Sequence, residues 1–159
     1  MARQFLQETV TTAMDCEQTH RVGIRDIDEQ HRTLIDCLSN VAQAVARHDG
    51  APAVHRTLAL LASFAQLHFV YEESLMRKYL YPHIDEHTDQ HWRISEEIES
   101  LYARSLTAAI PPNRILSLRE CWAAHIPNHD KALGLHVLQR MARASHIDNT
   151  VRQQVICLR

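Results

Sequence analysis

The sequence predicts an all-α protein, an up-down-up-down antiparallel four-helix bundle with short N- and C-terminal extensions. Three observations carry that prediction. The 159 residues contain only three glycines, which disfavours a turn-rich β fold. Apolar residues recur at alternating steps of three and four throughout, the period of an amphipathic helix. Breaks at Gly50-Ala51-Pro52, Tyr81-Pro82 and Pro111-Pro112 mark out four long segments joined by short connections.

The elements follow in order. The first helix is expected from about Ile27 to Arg47, where Gly50 can take the left-handed backbone that ends a helix. Pro52 suits the first turn of a second helix, which reaches about Tyr79. The third begins near Asp85 and ends before Pro111, and the fourth begins near Asn113 and passes Met141. Residues 1–20 read as an N-terminal arm, 21–143 as the bundle, and 144–159 as a C-terminal tail with room for a short helix.

Bulk properties narrow the function classes. A length of 159 residues suits one core, and 45% hydrophobic with 23% charged residues is an ordinary globular balance. The formal net charge of −2 gives no reason to expect a nucleic-acid or membrane partner. No apolar run approaches a membrane span, and Met1–Cys16 lacks the apolar core of a secretory leader, so the expected location is cytoplasmic. The four cysteines are scattered without a CxxC pair, which reads as reduced and mostly buried thiols. Twelve histidines are the compositional excess, and their positions decide what they mean.

The inward stripes are Ile27, His31, Leu34, Leu38, Val41, Val45 in the first helix and Val54, Leu58, Leu61, Ala65, His68, Glu72, Leu75, Tyr79 in the second. In the third they are Ile84, His87, His91, Ile94, Ile98, Leu101, and in the fourth Ile115, Leu118, Trp122, His125. Six titratable residues thus stand where apolar ones belong, and burying them costs free energy unless they are paired or metal-bound. His68 and Glu72 are four residues apart, as are His87 and His91, so each pair lies about 40° apart on one helical face. In an antiparallel bundle Glu72 and His91 both sit about 12 Å below the turn at Tyr81-Pro82, and His31 and His125 fall in the same half. Asp130 lies five residues after His125, a separation of about 140° on a straight helix. Pro127 between them predicts a local unwinding, after which the apolar stripe resumes one residue out of phase as Asp130, Leu133, Val137, Met141.

Five imidazoles and two carboxylates exceed the four ligands of a closed zinc site and contain too much nitrogen for calcium or magnesium. They suit two first-row ions bridged by the carboxylates. With three histidines on one ion, two on the other and one bridging oxygen, the second ion keeps one open position for a small ligand such as O2.

These same residues carry a family resemblance. Val22-Gly23-Ile24-Arg25-Asp26-Ile27-Asp28-Glu29-Gln30-His31 resembles the first helix motif of bacterial hemerythrins. His68-Phe69-Val70-Tyr71-Glu72-Glu73-Ser74-Leu75-Met76 is similar to the second block, Tyr81-Pro82 with His87 and His91 to the third, and His125-Ile126-Pro127-Asn128-His129-Asp130-Lys131 to the fourth. The resemblance covers about residues 20–140. It implies a non-haem di-iron protein that binds O2 reversibly at a five-coordinate iron, for storage, delivery or sensing. It also implies that His87, His91 and His125 hold one iron and His31 and His68 the other, with Glu72, Asp130 and an oxo or hydroxo group as bridges. The alternatives are a di-iron redox enzyme acting on peroxide or nitric oxide, and a signalling domain working through a partner protein.

Two departures fall beside the expected ligand pocket. The family often has Trp-Leu where this chain has Cys121-Trp122. Trp122 either narrows the pocket or turns aside and packs, and Cys121 is either a redox-active thiol near the metals or a buried inert one. His20, His48, His55, His83, His129, His136 and His146 have no matched role and read as solvated or as supports for the ligands.

Overall fold

The structure, a computed structural model, describes residues 20–157, with side chains described for 20–146. The expected arm therefore lies outside the described residues, apart from His20. All regular structure among the described residues is helical: α1 Arg25–Ala46, α2 Ala51–Tyr79, α3 Ile84–Arg104, α4 Pro112–His125, a π-helical segment Ile126–Asp130, and α5 Lys131–Cys157. The last three form one continuous fourth helix. α5 continues to Cys157, so most of the expected tail extends the fourth helix without a break.

Local chemistry sets the ends of these helices. No side chain caps α1, but Asp26 and Asp28 in its first turn complement the positive end of the helix dipole. Gly50, with φ +89°, makes the turn before α2, and Pro52 occupies the first turn as expected. α2 ends on Leu80 in the left-handed region at φ 53°, and the Tyr81 amide donates to the Met76 carbonyl at 2.9 Å. This wrap satisfies an otherwise free carbonyl and turns the chain into α3.

α1 packs on α2 and α4, and α3 packs on α2 and α4, which closes a four-membered ring of helices. One core cluster includes Leu34, Leu38, Val41, Leu58, Leu61, Ile98, Leu101, Leu118 and Trp122. A smaller one gathers Met76, Tyr81, Leu133 and Val137 towards the other end. Full burial of a leucine such as Leu38 contributes about 1.5–3 kcal/mol. In the sequence, the titratable residues of the inward stripes other than His68 fall between the residues of the two clusters.

The seams differ from expectation at several positions, among them Val45, which is only partly buried where Ala44 is buried. On α2 it is Met76, fully buried, and not Leu75 that continues the stripe after Glu72. On α5 Met141 is exposed, because the inward stripe ends at Val137, near the end of the packed bundle. Among the described residues no helix is long and apolar enough to cross a membrane.

Candidate metal centre

All seven expected site residues are buried to 3% exposure or less, and the fold brings them together. Their ligand-type atoms form two overlapping groups. One comprises Glu72, His87, His91, His125 and Asp130, and the other His31, His68, Glu72 and Asp130. Both carboxylates belong to both groups.

The distances show how the carboxylates are shared. Asp130 Oδ1 lies 3.0 Å from Nε2 of both His87 and His125, while its Oδ2 lies 3.1 Å from Nε2 of His31. Glu72 Oε2 lies 3.2 Å from His91 Nε2, 3.4 Å from His87 Nε2 and 3.7 Å from His68 Nε2. The Nε2 atoms of His87 and His125 face each other at 3.3 Å.

Asp130 owes its place to the π segment. The Lys131 amide donates to the carbonyl of Ile126, five residues back, so this turn holds an extra residue. The wider turn brings Asp130 round to the face of His125. Pro127 sits inside it, where its missing amide removes one regular helical bond. The expected unwinding thus takes the form of a π turn.

Outer partners fix three of the rings. His31 Nδ1–H donates to the His20 carbonyl at 2.9 Å, His68 Nδ1–H to Gln30 Oε1 at 3.0 Å, and His91 Nδ1–H to Glu73 Oε1 at 3.4 Å. Each bond places the proton on Nδ1 and turns a lone pair on Nε2 inward, the tautomer a metal requires. The His20 contact has a structural origin. Val22 crosses α5 at Gly134, where a Cβ would meet the Val22 carbonyl oxygen at 2.6 Å, and the Val22 amide donates to Asp28 Oδ1 at 2.7 Å. Phe69 stacks on His91 at 4.1 Å and on Trp122 at 5.5 Å.

Burial, reinforced by His125 and His87, takes His91 down to about 2, and burial takes His68 down to about 3, so both imidazoles are neutral. Burial and the neighbouring Asp130 push Glu72 up. Asp130 is held well below the carboxylate range against the cost of burial, by His125, His31 and His87. His87 rises to about 9, its burial outweighed by Asp130 and Glu72.

The residues fit cations. His31 Nε2, His68 Nε2, Glu72 Oε1 and Asp130 Oδ2 are buried side-chain atoms without a hydrogen-bond partner. Such atoms cost about 1–3 kcal/mol each when left unpaired. Ligands about 2.1 Å from a six-coordinate ion stand about 3.0 Å apart along each edge, close to the 3.0–3.4 Å separations of His87, His91, His125 and the carboxylate oxygens.

The two departures separate. Trp122 is fully buried beside the ligands, 5.8 Å from His68 and 6.1 Å from His125 by ring centroids. Cys121 is exposed and does not line the cluster, which corrects its expected place in the ligand pocket. The inward face of α4 is set by Ile115, Leu118, Arg119, Trp122 and His125, and a residue four before His125 falls at its edge. Partial burial together with Glu97 and Glu120 pushes the Cys121 thiol up, away from thiolate reactivity.

The sequence reading did not single out Gln30, Glu73, Phe69, the His20 carbonyl or Gly134. The first three are chain neighbours of His31, Glu72 and His68, and that adjacency was the available signal. Nothing local marks Gly134, whose role depends on Val22, distant along the chain.

A helical bundle with two buried histidine groups joined by shared carboxylates defines a cation-binding bundle. The model of the family described as "Hemerythrin HHE cation binding domain" matches residues 22–138, and the chain belongs to this hemerythrin family. Bacteriohemerythrins of Campylobacter jejuni subsp. jejuni, from serotypes O:6 and O:2, are 33% identical over 75 residues, 47% of this chain. The match spans 56% of those relatives' length. A crystal structure of a hemerythrin leucine-to-tyrosine mutant and one of a leucine-to-phenylalanine mutant each align with a TM-score of 0.67 at 22% identity. They cover 72% of this chain and 88% of each neighbour, and share its fold.

Proposed function

We propose that this protein holds two non-haem iron ions and binds O2 reversibly, for storage, delivery or sensing. The single observation that carries this reading is the division of Asp130, whose Oδ1 faces His87 and His125 while its Oδ2 faces His31. A carboxylate divided in this way, together with the shared Glu72, supports two ions and not one. In this reading His87, His91 and His125 hold one ion, His31 and His68 the other, and Glu72 and Asp130 bridge them.

The uneven count matters. Three histidines complete one ion's sphere, while two leave the other a position for a small ligand. When bound, the irons supply that open position and the electrons for reversible O2 binding. The protein's own residues keep water away through the apolar clusters on either side and hold the imidazoles of His68 and His91 neutral. They also fix the rings through the His20 carbonyl, Gln30 and Glu73. A cytoplasmic setting agrees with the free thiols Cys37 and Cys121.

The test is metal analysis joined to visible absorption of anaerobically reduced protein through cycles of air and argon. Two irons per chain and a colour that appears in air and fades under argon are the expected result. Two irons that oxidise without a reversible colour change would point to a redox enzyme instead. Fewer than two irons at saturation would refute the proposed centre.

A further inference from the structure

Trp122 is a fully buried residue whose indole nitrogen, Nε1, has no hydrogen-bond partner. Indole nitrogen is a donor only, and a buried donor left unpaired costs about 1–3 kcal/mol. The surroundings restrict where an acceptor can come from. One ring face lies parallel to Phe69, 7° between planes, and its other aromatic neighbours are His68 and His125, one from each histidine group. The rest of the cluster containing Trp122 is almost wholly aliphatic. The polar rings beside this side chain, His68 and His125, both belong to the metal centre.

We propose that Trp122 determines which small ligands the centre accepts. Its N–H donates a hydrogen bond to a small anion or an anion-like diatomic seated beside His68 and His125, and its bulk excludes larger ligands. This rests on the di-iron reading above. The ligand class is small species with an acceptor atom beyond the one that meets the metal, and azide is the probe. A ligand that satisfies the N–H removes a penalty that an apolar ligand of equal size leaves in place.

The test uses the oxidised, iron-loaded full chain titrated with azide and followed by charge-transfer absorption. Trp122→Phe keeps an aromatic ring against Phe69 but has no N–H, and Trp122→Leu removes the bulk as well. Iron content and circular dichroism verify that each variant is loaded and folded. A hydrogen bond to a charged group predicts azide binding about 10- to 100-fold weaker in Trp122→Phe. A measurement on the native indole does not depend on these variants folding. In a Trp92→Phe background, which leaves Trp122 as the one tryptophan, the ultraviolet resonance Raman N–H marker band should shift when azide is added. Equal azide affinity in a fully loaded Trp122→Phe protein, or an unshifted marker band at azide saturation, would overturn the proposal. Wild-type protein with two irons and no azide band would also overturn it while leaving the metal centre standing. Wild-type protein without two irons would remove both.

Discussion

Asp130 Oδ1 lies 3.0 Å from His125 Nε2 although the two residues are five apart in the chain. A regular helix would splay them by about 140°, and the π turn at Ile126–Asp130 brings them to one face. With its other oxygen 3.1 Å from His31, Asp130 ties the fourth helix to the first through the polar layer.

Removing a shared carboxylate should therefore empty both halves of the centre. Asp130→Ala and Glu72→Ala are each expected to bind less than about one iron per chain under conditions that load the wild type with two, and to melt at a lower temperature. Elemental analysis beside a thermal melt checks this. Full iron content in both variants would refute the bridging assignment.

The outer partners should control affinity and not identity. Gln30→Ala frees the ring of His68, and Glu73→Ala frees that of His91. Loss of such supports typically weakens metal binding about 10- to 100-fold. Competition against a graded chelator would show this as earlier metal release with an unchanged metal count when saturated. Retention identical to wild type would mean that packing alone orients these rings.

Gly134→Ala tests a contact far from the metals in sequence. The new methyl would stand 2.6 Å from the Val22 carbonyl oxygen and 2.9 Å from Val22 Cβ, so the strap that carries His20 must shift. A destabilisation of about 1–3 kcal/mol is expected, as for overpacking elsewhere. Faster chelator-driven metal loss should accompany it, because the His20 carbonyl no longer holds His31. A variant with wild-type melting and release rates would show the strap to be dispensable.

The metal-free protein should be most stable near pH 6.5. His68 and His91 stay neutral when folded, mainly through burial, with values of about 3 and about 2. The unfolded chain protonates them near 6.5, so stability falls as pH drops below that value. Glu72, raised chiefly by burial, and His87, raised to about 9 by Asp130 and Glu72 against its burial, act in the opposite sense. Both bind a proton more tightly when folded, so their contributions are lost as pH rises through their folded values. Below 6.5 the two histidines outweigh Glu72, and above it Glu72 and His87 act together. Urea midpoints from pH 5 to 8 should pass through a maximum, and a steady rise across that range would contradict this balance.

Much of the fold was legible because helical periodicity is a local property. The breaks at Gly50, Tyr81-Pro82 and Pro111-Pro112, and the stripes through Leu34–Leu38, Leu58–Leu61 and Ile94–Ile98, needed only neighbouring residues to be seen. The seven site residues were legible for the same reason, each being a polar residue in an apolar stripe. Asp130 announced itself through Pro127 and the phase skip that follows. Met76 in place of Leu75 shows the limit, since both positions lie close to the seam and packing against Tyr81 and Leu133 decides between them.

The sequence alone thus determined the helices, their order, and which titratable groups must be buried. The tertiary structure decided how those groups are shared. The division of Asp130 between His31 and the His87–His125 pair depends on the π turn and on the spacing of three helices. The His20–His31 bond depends on Val22 passing over Gly134, some 110 residues away along the chain. The exposure of Cys121 and the burial of Trp122, adjacent residues on one helix, depend on where α4 meets its neighbours. Periodicity records which way a side chain faces along its own helix, and only packing fixes what it meets there.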